Sequence, residues 1–153
     1  MKKIFLTLLF FTMIYCNTLA DDKTDVLNKF DSYVNSANEY SNNLANYYSK
    51  DAKIIRVVNK KQGGQKFVVI PFDRYLSELQ SHAKLARIVG YKNQYTDRKI
   101  SKVGNNYKIS ANRVPRNDKK GLPSYFIFAK DGEDWKIIEE SMTTNVQTFL
   151  NAK

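Results

Sequence analysis

Apolar residues recur at helical spacing in two segments of the chain, and each segment predicts an amphipathic helix. In the first segment they fall at 26, 30, 33, 34, 37, 40, 44, 47 and 48, opposite a polar face. Asparagine is a weak helix former, so the Asn-rich second half of this segment predicts a break near Asn42-Asn43. A shorter apolar stripe predicts a second helix over 72–87.

Most of the remaining chain is typical of β-strands separated by turn residues. Gly63-Gly64 and Asp131-Gly132 are typical of hairpin turns. The predicted strands are 52–58, 66–70, 91–102, 107–115, 124–130 and 134–144. This order of elements predicts an α+β fold in which the helices cover one face of an antiparallel sheet. Because sheets twist, a long sheet should curl round the helices and leave an opening at one end.

The first twenty residues have the layout of a secretory signal peptide. A basic start is followed by an apolar run from Ile4 to Cys16, and Thr18-x-Ala20 provides small residues for cleavage. The apolar run is thirteen residues long, whereas a membrane-spanning helix needs about 20. We therefore predict a signal peptide over 1–20, cleaved near Ala20. An uncleaved membrane anchor is the alternative.

Cleavage near Ala20 would define the mature protein. The bulky Tyr15 before Cys16 disfavours a bacterial lipoprotein, in which a small residue precedes the cysteine. The mature chain, one domain over 21–153, would then have no cysteine and no disulfide. We expect it to be periplasmic or secreted.

The chain is strongly basic. It has 25 Lys and Arg against 15 Asp and Glu, a net charge of +10, and it keeps +8 without Lys2 and Lys3. Basic proteins often bind nucleic acid, but export and the dispersed lysines argue against that partner. The charge instead indicates a solvated basic surface, or attraction to an anionic envelope component such as lipid head groups.

Two short phrases, together with the order of elements, resemble the nuclear transport factor 2-like superfamily, which includes the SnoaL-like cyclases and the ketosteroid isomerases. The first is YYSKDA at 47–52, similar to a phrase at a helix end before the first strand. The second is DGEDWKIIEES at 131–141, which matches a Gly-x-x-Trp-x-Ile pattern in a late strand. The resemblance implies a cone-shaped curved antiparallel sheet on two or three helices, with a pocket between them and, commonly, dimerisation through the sheet. It implies no particular activity.

The resemblance also implies positions for the first phrase. Tyr47 and Tyr48 would wedge the helix end against the cone, and Asp51 would lie in the following turn. There Asp51 could act as a base at the pocket mouth, or bind local backbone N–H groups.

Strict alternation along the last strand places Glu139 on the same face as Trp135. If Trp135 points inward, Glu139 faces an apolar cavity and could serve as an acid or base. The alternative is a Glu139 near the rim, paired with Arg or Lys. His82 is the single histidine and lies beside the apolar stripe of the second helix, as a functional or a surface residue.

Arg56 and Arg113 lie in predicted strands. Facing inward, they would select an anionic ligand or pair with Glu139; otherwise they face solvent. Without a second histidine or a mature cysteine we predict no metal site, and we predict no cofactor.

The sequence thus predicts an exported cone domain that binds a small apolar or amphipathic ligand or a protein partner, without evident catalytic machinery. The first alternative is an isomerase-, dehydratase- or cyclase-type enzyme using Glu139 with His82 or a tyrosine. The second is a periplasmic scaffold subunit of a secretion or envelope assembly.

Overall fold

The computed structural model describes residues 21–116 and 120–151. The predicted signal peptide over 1–20, with Cys16, lies outside the described residues, as does the middle of the basic loop after the fourth strand.

Within this described part, six strands form one sheet, and the helices lie over one of its faces. The helices are α1 (21–38), α2 (Phe72–Ile88) and two short 3-10 helices, Leu44–Tyr47 and Gln147–Asn151. The strands are β1 (Tyr48–Asn59), β2 (Gln65–Ile70), β3 (Asn93–Val103), β4 (Asn106–Pro115), β5 (Leu122–Asp131) and β6 (Asp134–Thr144). None of the described helices is both long and apolar enough to span a membrane.

The strand order across the sheet is β2-β1-β6-β5-β4-β3. Strands β3 to β6 form the predicted antiparallel meander, and β2 pairs antiparallel with β1. The central pair, β1 with β6, is parallel. The predicted α+β fold with helices over a curved, mainly antiparallel sheet is confirmed.

Helix α1 places its apolar stripe against the sheet. Val26, Phe30 and Tyr33 are buried, and the Phe30 ring lies 5.0 Å from that of Phe126 in β5. Burial of an apolar side chain such as Val26 or Phe30 stabilises the fold by about 1.5–3 kcal/mol. Helix α2 buries only Tyr75. Because α2 packs so sparsely, space is left between it and the sheet.

The segment between α1 and β1 differs from its prediction. The first helix ends at 38, and the chain turns at Tyr40, which has a positive φ of 55°. A 3-10 helix follows, so the predicted break occurs slightly before Asn42-Asn43. Strand β1 already begins at Tyr48, so Asp51 lies in a strand and not in the predicted turn.

Candidate functional site

A β-bulge in β6 decides which glutamate faces the helices. Ile127 of β5 pairs with Glu139, but the next residue, Phe128, pairs with Ile137, so Ile138 is an extra residue in β6. An extra residue shifts the alternation of side chains by one position. Trp135 and Ile137 are buried before the bulge, and Glu140 is buried after it. The prediction that Glu139 faces inward with Trp135 is therefore wrong.

Glu139 lies on the outer face of the sheet. Its Oε1 accepts a hydrogen bond of 2.6 Å from the Tyr125 hydroxyl, and its Oε2 is 3.9 Å from Nζ of Lys53. Burial, followed by the hydrogen bond to Glu139, raises the pKa of Tyr125 to about 12. Glu139 does not line the cavity described below.

Glu140, in contrast, is fully buried and is surrounded by tyrosines from three elements. Its Oε2 lies 3.1 Å from the hydroxyl of Tyr33, 2.5 Å from that of Tyr48 and 3.5 Å from that of Tyr75. The Tyr48 and Tyr33 hydroxyls are also 3.0 Å apart. A hydroxyl has one proton, so Tyr48 donates along its shorter contact, to Glu140. We call Glu140 and these three tyrosines the tyrosine cluster.

Arg56 supplies the positive charge beside this carboxylate. Its side chain points inward from β1, and its Nη2 lies 2.8 Å from Oε1 of Glu140. Its Nη1 donates to the backbone oxygen of Ile55 over 3.0 Å, and its guanidinium lies over the Tyr75 ring. Burial alone would lower the pKa of Arg56, but the Glu140 carboxylate outweighs it and the pKa is raised. Glu139 was the predicted partner of Arg56. Because the bulge turns Glu140 inward, Arg56 pairs with Glu140.

The tyrosines of the cluster stay protonated far into the alkaline range. Burial, and after it the Glu140 charge, holds the pKa of Tyr33 and of Tyr48 well above the ordinary value. The same two causes, partly offset by Arg56, raise the pKa of Tyr75 to about 12. These groups therefore act as neutral hydrogen-bond donors.

A cavity of about 910 Å³ lies between the sheet, α1 and α2. Tyr33, Tyr75 and Arg56 form part of its wall, whereas Glu140 and Tyr48 lie behind them. Most of the wall is apolar, and its main apolar side chains are Val34, Leu44, Leu76, Leu79, Met142 and Phe149.

Arg113 forms a second polar region of the cavity wall. It points inward from β4 and is 7% exposed. Its Nη1 donates to Oδ1 of Asn93 over 3.0 Å and to the Tyr91 hydroxyl over 3.3 Å. Its Nη2 donates to the backbone oxygen of Thr143 over 3.1 Å.

The structure separates the other predicted site residues. His82 lines the cavity from α2, although its side chain is exposed and its Nδ1 lies 2.8 Å from the Glu78 backbone oxygen. Trp135 is in the core, where its ring packs on Tyr107 at 5.4 Å, and it does not line the cavity. Tyr47 is half-buried outside the cavity, 2.9 Å from the Ser36 hydroxyl.

The predicted set therefore divides into two groups. Arg56, Arg113 and His82 line the cavity, and Tyr48 lies directly behind its wall. The exposed Asp51 does not reach it. No group of three or more metal-binding side chains occurs in the described part of the chain.

Sequence reasoning missed three residues of the site: Glu140, Tyr33 and Tyr75. Tyr33 is one of the apolar positions of the first predicted helix and Tyr75 lies in the predicted helix over 72–87, and a tyrosine hydroxyl that points inward from a helix has to find a polar partner. That requirement is the signal that could have pointed to a buried acid between the helices and the sheet.

The geometry limits what Glu140 can do chemically. Its Oε2 already accepts from tyrosine hydroxyls, its Oε1 is paired with Arg56, and the cavity wall separates it from the cavity. A general base must reach the proton that it removes. In this geometry Glu140 holds Tyr33, Tyr75 and Arg56 in place and is not positioned to act on a molecule in the cavity.

Several solved structures have the same architecture as this chain, although their sequence identity to it is low. A nuclear transport factor 2-like protein with a cystatin-like fold from Novosphingobium aromaticivorans is 11% identical, with a TM-score of 0.67 and 86% coverage of each chain. Another such protein, of unknown function, from Methylobacillus flagellatus is 19% identical, with a TM-score of 0.55; the match covers 80% of this chain and 91% of that one.

A third structure carries a provisional functional name. It is a protein from Novosphingobium aromaticivorans provisionally named a scytalone dehydratase, 14% identical, with a TM-score of 0.60, and the match covers 83% of this chain and 86% of that one. No protein-family model and no curated protein sequence matches the chain. The chain has the nuclear transport factor 2-like fold, and at these identities the likeness establishes the fold alone.

Proposed function

We propose that this chain is an exported binding protein that holds a small apolar or amphipathic molecule in the cavity of its cone. The observation that carries the proposal is the cavity of about 910 Å³ with a mainly apolar wall. Binding sites for small molecules have volumes of about 300–1,000 Å³, apolar walls and a few placed polar groups. Arg56, Arg113 and the wall tyrosines are such groups.

The geometry favours binding over catalysis. The enzyme alternative relied on Glu139 with His82 or a tyrosine, but Glu139 lies on the outer face of the sheet and His82 lines the cavity. The tyrosine that contacts Glu139 is Tyr125, which also lies outside the cavity. Dehydratase chemistry, suggested by the name of one similar structure, would need an acid and a base that both reach the cavity. His82 and Glu78 line the cavity, but the Glu78 carboxylate is paired with Arg74, and Glu140 lies behind the wall.

A cavity-blocking variant tests the proposal. Ala83 faces the cavity from α2, so Ala83→Trp should place an indole ring in it and obstruct part of its volume, whereas Ser81→Trp adds the same ring on the exposed side of the helix. We expect the neutral apolar probe N-phenyl-1-naphthylamine to bind saturably to the protein. Ala83→Trp should weaken its binding roughly tenfold or more, and Ser81→Trp less than about twofold. Absence of binding, or equal binding by all three proteins, would refute the proposal.

Export and partners are further parts of the proposal. Export rests on the sequence of residues 1–20, and attraction to an anionic envelope component rests on the net charge of +8 that the mature chain keeps without Lys2 and Lys3. The predicted homodimer would use the sheet. The most exposed large apolar side chains of the described part lie at sheet edges, in or just after α2, and near the C-terminus: Phe67, Val69, Leu85, Ile88, Val89, Val103 and Val146. The dimer stays a prediction, which light scattering of the mature chain checks.

A further inference from the structure

We infer that the ligand carries a single anionic group and that Arg113 binds it. This inference rests on the proposed binding function and names the chemical class of the ligand: an amphipathic monoanion. It follows from the balance of buried charge, from the free donors of Arg113 and from the apolar surface around them.

The buried charges of the described residues do not cancel. They are the guanidinium groups of Arg56 and Arg113 and the carboxylate of Glu140. Arg56 and Glu140 form an ion pair at 2.8 Å. Arg113 has no carboxylate within ion-pair distance among the residues that the structure describes, so one buried positive charge is left uncompensated. Burying an unpaired charge costs free energy, and a partner of opposite charge offsets that cost.

The other charged groups at the cavity leave this balance unchanged. Arg74 and Glu78 both line the cavity from α2, and they pair with each other at 2.9 Å. Tyr95, the register partner of Arg113 in β3, is a neutral phenol at ordinary pH, and burial followed by the Glu140 charge raises its pKa further. An anion that enters this cavity would therefore find an unpaired positive charge at Arg113.

Arg113 also has hydrogen-bonding capacity to spare. A guanidinium has five N–H donors, and the acceptors found for Arg113 are neutral: Tyr91, Asn93 and the backbone oxygen of Thr143. Its Nε is buried and has no partner among the described residues. Hydrogen bonds to neutral acceptors fix the orientation of a guanidinium but do not neutralise its charge. A carboxylate or phosphate group matches the planar arrangement of its N–H donors.

The remainder of the cavity specifies the body of the ligand. Leu76, Leu79, Met142 and Phe149 line the cavity together with Arg113. One charged group with an extended apolar surface fits an amphipathic acid. A free long-chain acid and a single-chain anionic lipid both have this chemistry.

The test compares ligands that share a twelve-carbon chain and differ in the head group. N-phenyl-1-naphthylamine is displaced from the protein by dodecanoate, dodecanol or dodecylamine, and by lysophosphatidylglycerol with a single dodecanoyl chain as the lipid arm. We expect dodecanoate to displace the probe at a concentration roughly tenfold or more below that of dodecanol, with dodecylamine the weakest. Stronger displacement by lysophosphatidylglycerol than by dodecanoate would identify a lipid source, and the reverse a free acid.

Variants then test whether Arg113 causes the preference for dodecanoate over dodecanol. Arg113→Met should abolish the preference for dodecanoate and leave dodecanol within about twofold of the original protein. Arg113→Lys should keep part of it, because the charge remains. Lys99→Met is the control, since Lys99 is exposed and outside the cavity and its loss changes the net charge equally.

The outcomes separate the two proposals. If the probe binds and dodecanol displaces it as well as dodecanoate does, the inference is overturned while the binding function stands. A preference that survives in Arg113→Met would overturn the role of Arg113. If the probe does not bind at all, the proposed function fails, and the inference fails with it. Should Arg113→Met not fold, the head-group series on the unaltered protein still decides the ligand class.

Discussion

Nη2 of Arg56 lies 2.8 Å from Oε1 of Glu140, and the two side chains are 7% and 0% exposed. The pair joins neighbouring strands, β1 and β6, on the face that looks toward the helices. Tyr33 of α1 and Tyr75 of α2 both donate hydrogen bonds to the same carboxylate. Glu140 thus connects the sheet with both helices at the base of the cavity.

Replacing Glu140 should cost far more stability than replacing its neighbour. Glu140→Gln leaves Arg56 buried without its counter-charge, and breaking a buried pair from one side costs about 3–5 kcal/mol. Glu139→Gln affects only a half-exposed contact with Lys53 and the Tyr125 hydrogen bond, so we expect a loss of about 1 kcal/mol or less. Urea unfolding of the two variants measures both values. Equal losses would contradict the account of the bulge.

Replacing each of the two tyrosines of YYSKDA, Tyr47 and Tyr48, should lower the stability of the protein by a different amount. Tyr48→Phe removes a buried donor to a carboxylate and should lower the free energy of unfolding by about 1.5–3 kcal/mol. Tyr47→Phe removes a half-buried contact with the Ser36 hydroxyl and should cost about 0.5–1.5 kcal/mol. Chemical denaturation is again the measurement. A Tyr47 variant less stable than the Tyr48 variant would refute the assignment.

Alkaline pH should unfold the protein through the tyrosine cluster. The folded pKa of Tyr75, about 12, exceeds its ordinary value of 10.0, and those of Tyr33 and Tyr48 are also raised. A raised folded pKa contributes stability that is present below about pH 10 and is lost as the pH rises toward the folded value. Stability should therefore fall above pH 10, by up to about 1.4 kcal/mol per pH unit and per tyrosine.

Absorbance of tyrosinate checks this prediction. We expect some tyrosines to ionise near pH 10 and the cluster to ionise only together with loss of the fold, followed by circular dichroism. Tyr75→Phe should reduce the amplitude of the late step. Ionisation of every tyrosine in one step near pH 10, with the fold intact, would show that the cluster is not buried as described.

Hydrophobic periodicity was sufficient to predict the elements. The meander from β3 to β6 lies within a few residues of its predicted bounds, because its turns carry Gly104 and Gly132, both at positive φ. The end of α1 was harder to predict. Apolar spacing continues as far as Tyr48, but those last residues reach the core from a turn, a 3-10 helix and a strand. The spacing of apolar residues alone does not distinguish a turn, a 3-10 helix and a strand.

The site was less predictable than the fold. The inward direction of Arg56 and Arg113 was one of two alternatives, since strand position alone does not tell which face is covered. The choice between Glu139 and Glu140 depended on a single extra residue, Ile138, whose presence follows from the pairing of β5 with β6. A bulge depends on contacts between strands, so a single strand read alone does not reveal it.

Processing of the N-terminus is a prediction from the sequence. If residues 1–20 are a signal peptide, the exported protein begins at Asp21, and Ala20→Phe blocks cleavage because a small residue is required there. N-terminal sequencing of the exported protein determines the first residue. A chain that is exported but retains Met1 would contradict cleavage and favour the anchored scaffold alternative.

The most direct test of the central claim is native mass spectrometry of the protein purified from its own compartment without denaturation. The account predicts a cleaved chain that carries a reproducible small adduct, and the adduct should be absent from Ala83→Trp and present in Ser81→Trp. Its composition would show whether the ligand is an amphipathic acid. A chain that carries no adduct, and that neither N-phenyl-1-naphthylamine nor dodecanoate occupies when added, would contradict a binding function for the cavity.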